Sequence, residues 1–163
     1  MEFEIDTAEA LGIRDDEIEE LLDQVYVAED YMTREEAVTL FTPAVVRQRG
    51  VLIGAREHQH AALTGMVIVV PPESPARRIA QDNEAEIHLL GVRSAYRRHG
   101  LGRMLVEAAI RLATDKGYRK IILWTQYSMK SAQRLYEAVG FVHTSELKRN
   151  GRNFKVYELE LAT

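Results

Sequence analysis

The segment AEIHLLGVRSAYRRHGLGRMLVEAAIRLATDKGYRKIILWTQ, residues 85–126, decides how the chain folds. Its first part, AEIHLLGV, reads as a strand, and its last part, KIILWTQ, reads as a buried strand. Between them, residues 100–116 carry an apolar stripe at helical spacing, and Gly117 follows where a helix commonly ends. The stripe consists of Leu101, Leu105, Ala109 and Leu112. A strand, a helix and a strand in this order predict two parallel strands joined by a right-handed crossover.

The flanking sequence adds helices on both sides of this unit and strands at both ends of the chain. Helical spacing of apolar residues covers residues 15–27, 33–41 and 130–139. Thr33 and Glu36 form a capping box at the start of the second of these helices, and Pro43 must kink or end it. Strand patterns cover residues 3–5, 50–57, 62–70, 141–147 and 154–161.

These elements predict an α/β fold of the α+β type. We expect a mixed, mostly antiparallel central sheet of about six to seven strands, flanked by about four helices. The pair Asn150-Gly151, between the last two strands, is a strong signal for a hairpin turn. The chain of 163 residues has no repeat and no linker, so it predicts one domain, residues 1–163.

Composition narrows the classes of function. The chain has no cysteine, which excludes disulfides, thiolate nucleophiles and cysteine metal ligands. Its net charge of −4 argues against a general nucleic-acid binder. No apolar run approaches the ~20 residues of a membrane span, and the acidic start MEFEIDTAEA does not resemble a signal peptide. We therefore expect a cytoplasmic protein with neither nucleic acid nor membrane as a partner. For the histidines of HQH, residues 58–60, no carboxylate or cysteine partner for a metal is evident, so we expect a solvated turn and no metal site.

The stretch YRRHGLG, residues 96–102, places three kinds of anion-binding feature together. Unpaired amides at a helix start attract anions, and Gly100 and Gly102 let the backbone approach a ligand. The arginines at 97, 98 and 103 add positive charge, so we expect a phosphate cradle. A Walker loop is excluded because the Gly-Lys-Ser/Thr ending is missing, and a dinucleotide fingerprint because its third glycine is replaced by Leu105. A glycine turn with solvated arginines is the alternative.

Two motifs carry a family resemblance. Arg97-x-x-Gly100-x-Gly102 resembles the acetyl-CoA signature Gln/Arg-x-x-Gly-x-Gly/Ala of the GNAT superfamily of N-acetyltransferases. The stretch AQRLYEAVGF, residues 132–141, is similar to the closing motif of the same family. The resemblance runs from about residue 5 to residue 161 and is strongest over residues 84–141. It implies a GNAT-like fold and an acyltransferase that moves acetyl from acetyl-CoA, its cosubstrate, to a primary amine.

The resemblance also implies a set of cofactor-binding residues. Backbone groups of Leu90 and Val92 would hold the pantetheine arm, with Gly91 between them permitting a bulge that opens the sheet. Amides from Arg98 to Arg103 would bind the pyrophosphate. The full set is Leu90, Val92, Arg97, Arg98, His99, Gly100, Leu101, Gly102 and Arg103. The family often has asparagine seven residues before its conserved tyrosine, where this chain has Met129, and no role is carried over to that residue.

Glu86 is the expected base, acting through water, and Tyr136 is the expected acid. Strand alternation predicts that Glu86, His88, Leu90 and Val92 share one face. His88 is an alternative base or proton relay, and Glu86 is alternatively a solvated or ion-paired strand carboxylate. By pattern alone Tyr136 is a core aromatic residue, but it matches the family tyrosine near the CoA sulfur. The backbone N–H of Val92 is the expected donor to the carbonyl oxygen as charge develops there.

The acceptor amine is left open by the sequence. It is a small molecule or a protein lysine or N-terminus, and a non-catalytic CoA-binding sensor or partner subunit is a further alternative. We expect the acceptor cleft between the first two predicted helices, the loop at residues 71–83 and the last hairpin. Tyr26, Tyr31 and Tyr157 are expected to line it, and Trp124 to lie in the core. Dimers are common among such folds, so a homodimer is an open prediction.

Overall fold

A computed structural model describes residues 2–162 of the chain. Seven strands form one sheet in the order β1-β2-β3-β4-β5-β7-β6, and every neighbouring pair is antiparallel except β4 and β5. The strands are β1 Glu4–Thr7, β2 Val51–Arg56, β3 Gly65–Val70, β4 Glu84–Val92, β5 Lys120–Gln126, β6 Val142–Arg149 and β7 Arg152–Glu160. The helices are α1 Ala8–Leu11, α2 Asp15–Leu22, α3 Arg34–Leu40, α4 Pro43–Gln48, α5 Leu101–Asp115 and α6 Lys130–Val139.

The predicted mixed, mostly antiparallel sheet is confirmed, and so is the parallel strand–helix–strand unit at its centre. Asn150 and Gly151 both have positive φ, 52° and 73°, as a two-residue hairpin turn requires. Two short helices, α1 and α4, add to the predicted ones. Pro43 is the first residue of α4 rather than a kink in α3, because proline suits the first helical position, where no amide hydrogen bond is lost.

The parallel pair β4 and β5 is short. Only residues 84–86 of β4 pair with residues 120–122 of β5. Beyond that point β5 continues to pair with β7 as far as Gln126, while the second half of β4 pairs with β3 alone. The sheet therefore opens along one edge of β4, and the gap begins directly after Glu86.

A bulge in β4 changes which residues share a face. Met66 pairs with Gly91 and Ile68 with His88, so that Val67 opposes two residues, Leu89 and Leu90. Leu89 takes a positive φ of 55° at this point. The prediction of one face for residues 86, 88, 90 and 92 is therefore wrong, because the extra residue reverses the alternation.

The bulge also lies one position earlier than predicted. Gly91 is regularly paired and has no positive φ. A Cβ at Gly91 would lie 3.3 Å from a methyl group of Val25. The glycine therefore lets the segment after α2, residues 23–33, pack close to the strand.

Two apolar layers sandwich the sheet. On one face α5 and α6 pack against strand residues that include Val67, Ala85 and Ile87. On the other face α1 and α2, with Phe41 and Val46, cover Met66 and Ile68. Glu86 and His88 belong to the second face, whereas Leu90 and Val92 contact the first layer. Within residues 2–162, no helix has the length and apolar character to cross a bilayer.

Candidate functional site

Two cavities meet at the opened edge of β4. The first, about 550 Å³, lies between the second half of β4, the start of α5 and the start of α6. The second, about 520 Å³, lies on the other side of the gap, against β5 and the β6–β7 hairpin. Both cavities are lined by Tyr26, Leu90, Met129 and Ala132. The two cavities therefore adjoin each other at these four residues.

The first cavity is lined by the glycine loop, residues 96–100, and by the start of α5. Arg98 and Gly100 have positive φ values of 68° and 77°, so the loop turns sharply before the helix begins at Leu101. A Cβ at Gly100 would meet no atom within 4 Å, so the backbone conformation, not crowding, requires glycine there. The amides of the first turn have no partner within the helix and carry partial positive charge.

Gly102 also has a packing role. It lies inside the first turn of α5, and a Cβ there would come 3.2 Å from Leu135 of α6. The glycine thus lets α6 approach the start of α5. Of the nine predicted cofactor-binding residues, His99 is the one that does not line the first cavity. The eight that do are Leu90, Val92, Arg97, Arg98, Gly100, Leu101, Gly102 and Arg103.

The guanidinium of Arg97 is already paired. It donates from Nη1 to Oε1 of Glu29 at 2.7 Å and from Nη2 to the other carboxylate oxygen. Its Nε donates to the carbonyl of Val92 at 3.2 Å. The hydrogen bond from Arg97 holds the pKa of Glu29 below its usual range. In this state Arg97 ties the segment after α2 to the glycine loop and contributes little net charge to the cavity.

The opened edge of β4 presents backbone groups toward the gap. The amide of Arg93 bonds the carbonyl of Thr64 next to β3, so the preceding residue, Val92, points its N–H and C=O to the opposite edge. Arg97 occupies that carbonyl of Val92, and the hydroxyl of Tyr26 donates to the carbonyl of Leu90 at 3.0 Å. The N–H of Val92 is therefore directed into the gap.

The second cavity is strongly basic. Its wall carries four arginines and one carboxylate, that of Glu36. The arginines are Arg49, Arg78, Arg149 and Arg152. They come from the end of α4, the loop at residues 71–83 and the β6–β7 hairpin, and the last two of these segments are among those predicted to surround the acceptor cleft. None of the four was predicted as a site residue, since arginines in loops and at element ends show no periodic signal.

Three aromatic residues lie elsewhere than predicted. Trp124 is on the wall of the second cavity, with its ring 5.1 Å from that of His88, and is only partly buried. Tyr31 lines the first cavity, not the second. Tyr157 lines neither, because it is fully buried in the core and donates to Glu137 at 2.6 Å. Tyr26 lines both cavities.

Glu86 does not reach either cavity. Its side chain is fully buried, and Oε2 accepts hydrogen bonds of 2.8 Å from the amides of Arg78, Ile79 and Ala80. Oε1 lies 2.8 Å from Nε2 of His88. Burial alone would raise the pKa of Glu86, but the hydrogen bonds from His88 and from the three amides outweigh it and hold the pKa below its usual range. Glu86 is a buried carboxylate that anchors the loop carrying Arg78.

His88 lies on the cavity wall, between Glu86 and Arg49. Nη1 of Arg49 is 3.2 Å from Nδ1 of His88. Because a guanidinium can only donate, Nδ1 is the acceptor, and the proton on Nε2 is donated to Glu86. Burial, together with the charges of Arg49 and Arg78, lowers the pKa of His88 below its ordinary value, although Glu86 opposes this. The imidazole is therefore neutral at pH 7.

Tyr136 lies on α6 and faces the second cavity. Its ring packs edge-on against Phe141 in the core, and the side chain is buried apart from the part that lines the cavity. Burial raises the pKa of the phenol far above its ordinary value, so the hydroxyl is protonated at neutral pH. A phenol of this kind can donate a proton but does not release one spontaneously.

Comparison with known proteins identifies similar sequences and folds. The profile of the acetyltransferase (GNAT) family matches residues 15–141. Human N-acetyltransferase 8 is 30% identical over 105 residues, which cover 64% of this chain and 44% of the human protein. The chain thus spans less than half the length of that relative.

Solved structures match nearly the whole chain. An acetyltransferase of the GNAT family from Staphylococcus aureus has a TM-score of 0.74 at 17% identity and covers 99% of this chain and 100% of its own. A Bacillus subtilis acetyltransferase in complex with CoA has a TM-score of 0.70 at 20% identity, with the same coverage. At these identities the two structures establish the fold.

The anchoring role of Glu86 predicts how the loop at residues 71–83 responds when the carboxylate is removed. Glu86→Ala should accelerate tryptic cleavage after Arg77 and Arg78 by at least about tenfold, because three backbone amides lose a charged acceptor. Limited proteolysis followed by mass spectrometry measures the rate. Glu73→Ala, an exposed carboxylate of the same loop, is the control. Equal cleavage rates in the two variants would show that Glu86 does not hold the loop.

Proposed function

The chain belongs to the acetyltransferase (GNAT) family, and from this premise we propose that it moves the acetyl group of acetyl-CoA to the primary amine of a small molecule. One observation carries the proposal: the glycine loop at the start of α5 and the opened edge of β4 line one cavity, which meets a second cavity beside Tyr136. This arrangement supports a cofactor on one side of the gap and an acceptor on the other. A cytoplasmic location and a homodimer stay predictions.

The first cavity fits acetyl-CoA from its residues alone. The amides of residues 101–103, at the positive end of α5, suit a pyrophosphate, and Arg98 adds a charge next to them. The N–H of Val92 is available to the pantetheine arm or to the thioester oxygen. When bound, acetyl-CoA supplies an activated acyl group. The arginine at 97 would have to share its guanidinium between Glu29 and the cofactor.

The second cavity fits a small acceptor. Its walls come from the segment after α2, α3, the loop at residues 71–83, β5 and the β6–β7 hairpin, and so surround the space on several sides. Such walls favour a small molecule over an extended protein segment. A protein amine, either lysine or N-terminal, is the alternative acceptor, and it would require the hairpin or the loop to move aside.

We assign the proton transfers to His88 and Tyr136. The amine nitrogen attacks the thioester carbonyl carbon, a C–N bond forms, and the C–S bond breaks. His88, which is neutral and lies on the cavity wall, takes the proton lost by the amine on Nδ1 once the N–H of Arg49 has moved off that nitrogen, while Glu86 accepts from Nε2 and positions the ring. The hydroxyl of Tyr136 gives its proton to the departing sulfur, and the N–H of Val92 stabilises the charge on the carbonyl oxygen. The products are an N-acetylated amine and CoA with a free thiol.

Binding of acetyl-CoA depends on the positive start of α5. Arg103→Glu should raise the Kd for acetyl-CoA at least about tenfold, because it places a carboxylate among the first-turn amides. Arg111→Glu, on the same helix but outside the cavity, should change the Kd by less than about twofold. Titration calorimetry measures both. If the folded wild-type protein binds no acetyl-CoA, or if both variants bind alike, the cofactor assignment is wrong.

Loss of the phenol should slow transfer without weakening the cofactor. Tyr136→Phe is expected to lower kcat by about 10²–10⁴-fold, the range of general acid catalysis, with the Kd for acetyl-CoA unchanged. Thiol release from acetyl-CoA in the presence of an acceptor amine follows the rate. Tyr127→Phe, on a tyrosine that lines neither cavity, is the matched control. Full activity of Tyr136→Phe would exclude the acid role of this residue. If the wild-type protein binds acetyl-CoA but acetylates no amine, a non-catalytic CoA-binding sensor would be favoured.

The pH profile tests the base. Since burial holds the pKa of His88 below its ordinary value, the imidazole is deprotonated at pH 7, and kcat should fall only in the acidic range. In His88→Gln, kcat should be at least about 100-fold lower and should no longer fall at acidic pH. His58→Gln, in the exposed turn between β2 and β3, should keep both the wild-type kcat and its fall at acidic pH. An acidic limb that persists in His88→Gln would assign the proton to another group.

A further inference from the structure

The second cavity holds more positive charge than its own residues neutralise. Of its four arginines, Arg152 is paired with Glu36 through two hydrogen bonds of 2.8 and 2.9 Å. The other three, Arg49, Arg78 and Arg149, form no ion pair with a carboxylate within residues 2–162. His88 adds no charge, because its imidazole is neutral. Three guanidiniums therefore face one cavity of about 520 Å³ without a countercharge.

Arg49 is the most constrained of the three. Its side chain is partly buried, and within residues 2–162 its guanidinium forms hydrogen bonds to His88 and to the carbonyl of Leu40, at 3.2 and 3.1 Å. Its charged carbon lies 6.0 Å from the ring of Phe41. Neither acceptor carries a negative charge. Burial and the charge of Arg78 lower the pKa of Arg49, which means that the two guanidiniums repel each other across the cavity.

Glu86 holds the backbone of Arg78 and the ring of His88, which contacts Arg49. One carboxylate oxygen binds the backbone of Arg78 and the next two residues, and the other binds His88, which in turn accepts from Arg49. A buried carboxylate is thus used to position two cations and not to neutralise them at the cavity wall. Holding uncompensated arginines next to each other costs free energy, and an anionic ligand between them would recover it.

We propose that the acceptor is an amine that also carries an anionic oxygen group, a carboxylate or a phosphate, which is bound by Arg49 and Arg78. The proposal deepens the acetyltransferase function and rests on it. The anion would lie against the two guanidiniums, and the amine would extend toward the junction of the cavities. The same charges disfavour polyamines and other polycationic acceptors, since like charges repel at close range.

Matched acceptors test the charge requirement. The panel consists of the common α-amino acids, the carboxamide of each, O-phosphoethanolamine, ethanolamine and spermidine. The carboxamides and ethanolamine are called neutral partners because they lack the anionic oxygen group. Thiol release with acetyl-CoA gives kcat/KM for each member. The best acceptor should be anionic and exceed its neutral partner by at least about 100-fold, as expected when charged hydrogen bonds to two arginines are lost. The amino acid and phosphate arms distinguish the two sources of the anion.

Variants locate the anion. Arg78→Met should raise KM for the best anionic acceptor at least about tenfold and leave kcat/KM for its neutral partner within about twofold. Arg77→Met is the control, because this neighbour pairs with Asp82 at 3.1 Å and does not line the cavity. Arg49→Met should act in the same direction. Arg78 is exposed, so its variant is expected to fold even if replacement of Arg49 disturbs the core.

The outcomes separate this inference from the proposed function. If acetyl-CoA binds but only neutral amines or spermidine are acetylated, or no member of the panel is, the anionic acceptor is wrong and the acetyltransferase proposal stands on the cofactor. Equal KM values for Arg78→Met and Arg77→Met would also overturn the anion site. If acetyl-CoA does not bind the folded protein, the proposed function fails, and the inference fails with it.

Discussion

The parting of β4 and β5 after three residue pairs is the constraint on which the rest of the site depends. A strand that stayed paired on both edges would leave no backbone group free and no gap between the two cavities. The bulge at Leu89 and Leu90 reverses the alternation of side chains at this point. Glu86 and His88 can therefore face the helices α1–α4, while Leu90 and Val92 face α5 and α6. Two of the backbone carbonyls exposed where the strands part accept side-chain hydrogen bonds. Tyr26 donates to the carbonyl of Leu90, and Arg97 donates to that of Val92.

The arrangement of charges in the second cavity depends in the same way on one residue, Glu86. A fully buried carboxylate is costly unless it is saturated with hydrogen bonds, and this one receives four. Because the donors belong to the loop at residues 71–83 and to His88, one side chain sets the position of that loop and the tautomer of the imidazole. The orientation of Arg49 follows from the tautomer. The charge of the cavity wall is thus organised from within the core.

Sequence patterns predicted the helices and strands that show a regular apolar period and the turns that need glycine. The apolar stripe of α5, the two strands around it and the hairpin at Asn150-Gly151 follow local rules, and all are confirmed. The bulge could not be predicted, because Leu89 has no preference for a positive φ and takes one only under the pairing of β3 with β4.

The environment of Glu86 was equally beyond the sequence, since its partners lie in a loop without a periodic pattern. Alternation marked Glu86 as a strand carboxylate, but only the tertiary fold decides whether such a group faces a cavity or is enclosed. The same reason explains Trp124, which an apolar strand pattern assigned to the core and which the parting of the sheet leaves on a cavity wall. The four arginines come together from separate segments, and only the topology brings them to one cavity.

Amide hydrogen exchange with and without acetyl-CoA is the most direct measurement of the central claim, that the opened edge of β4 and the start of α5 together hold the cofactor. The account predicts that acetyl-CoA slows exchange at Val92 and at the amides of residues 98–103, with smaller effects at the start of α6. Exchange that is unchanged at these amides, or protection confined to the far side of the sheet near β1 and β2, would contradict it.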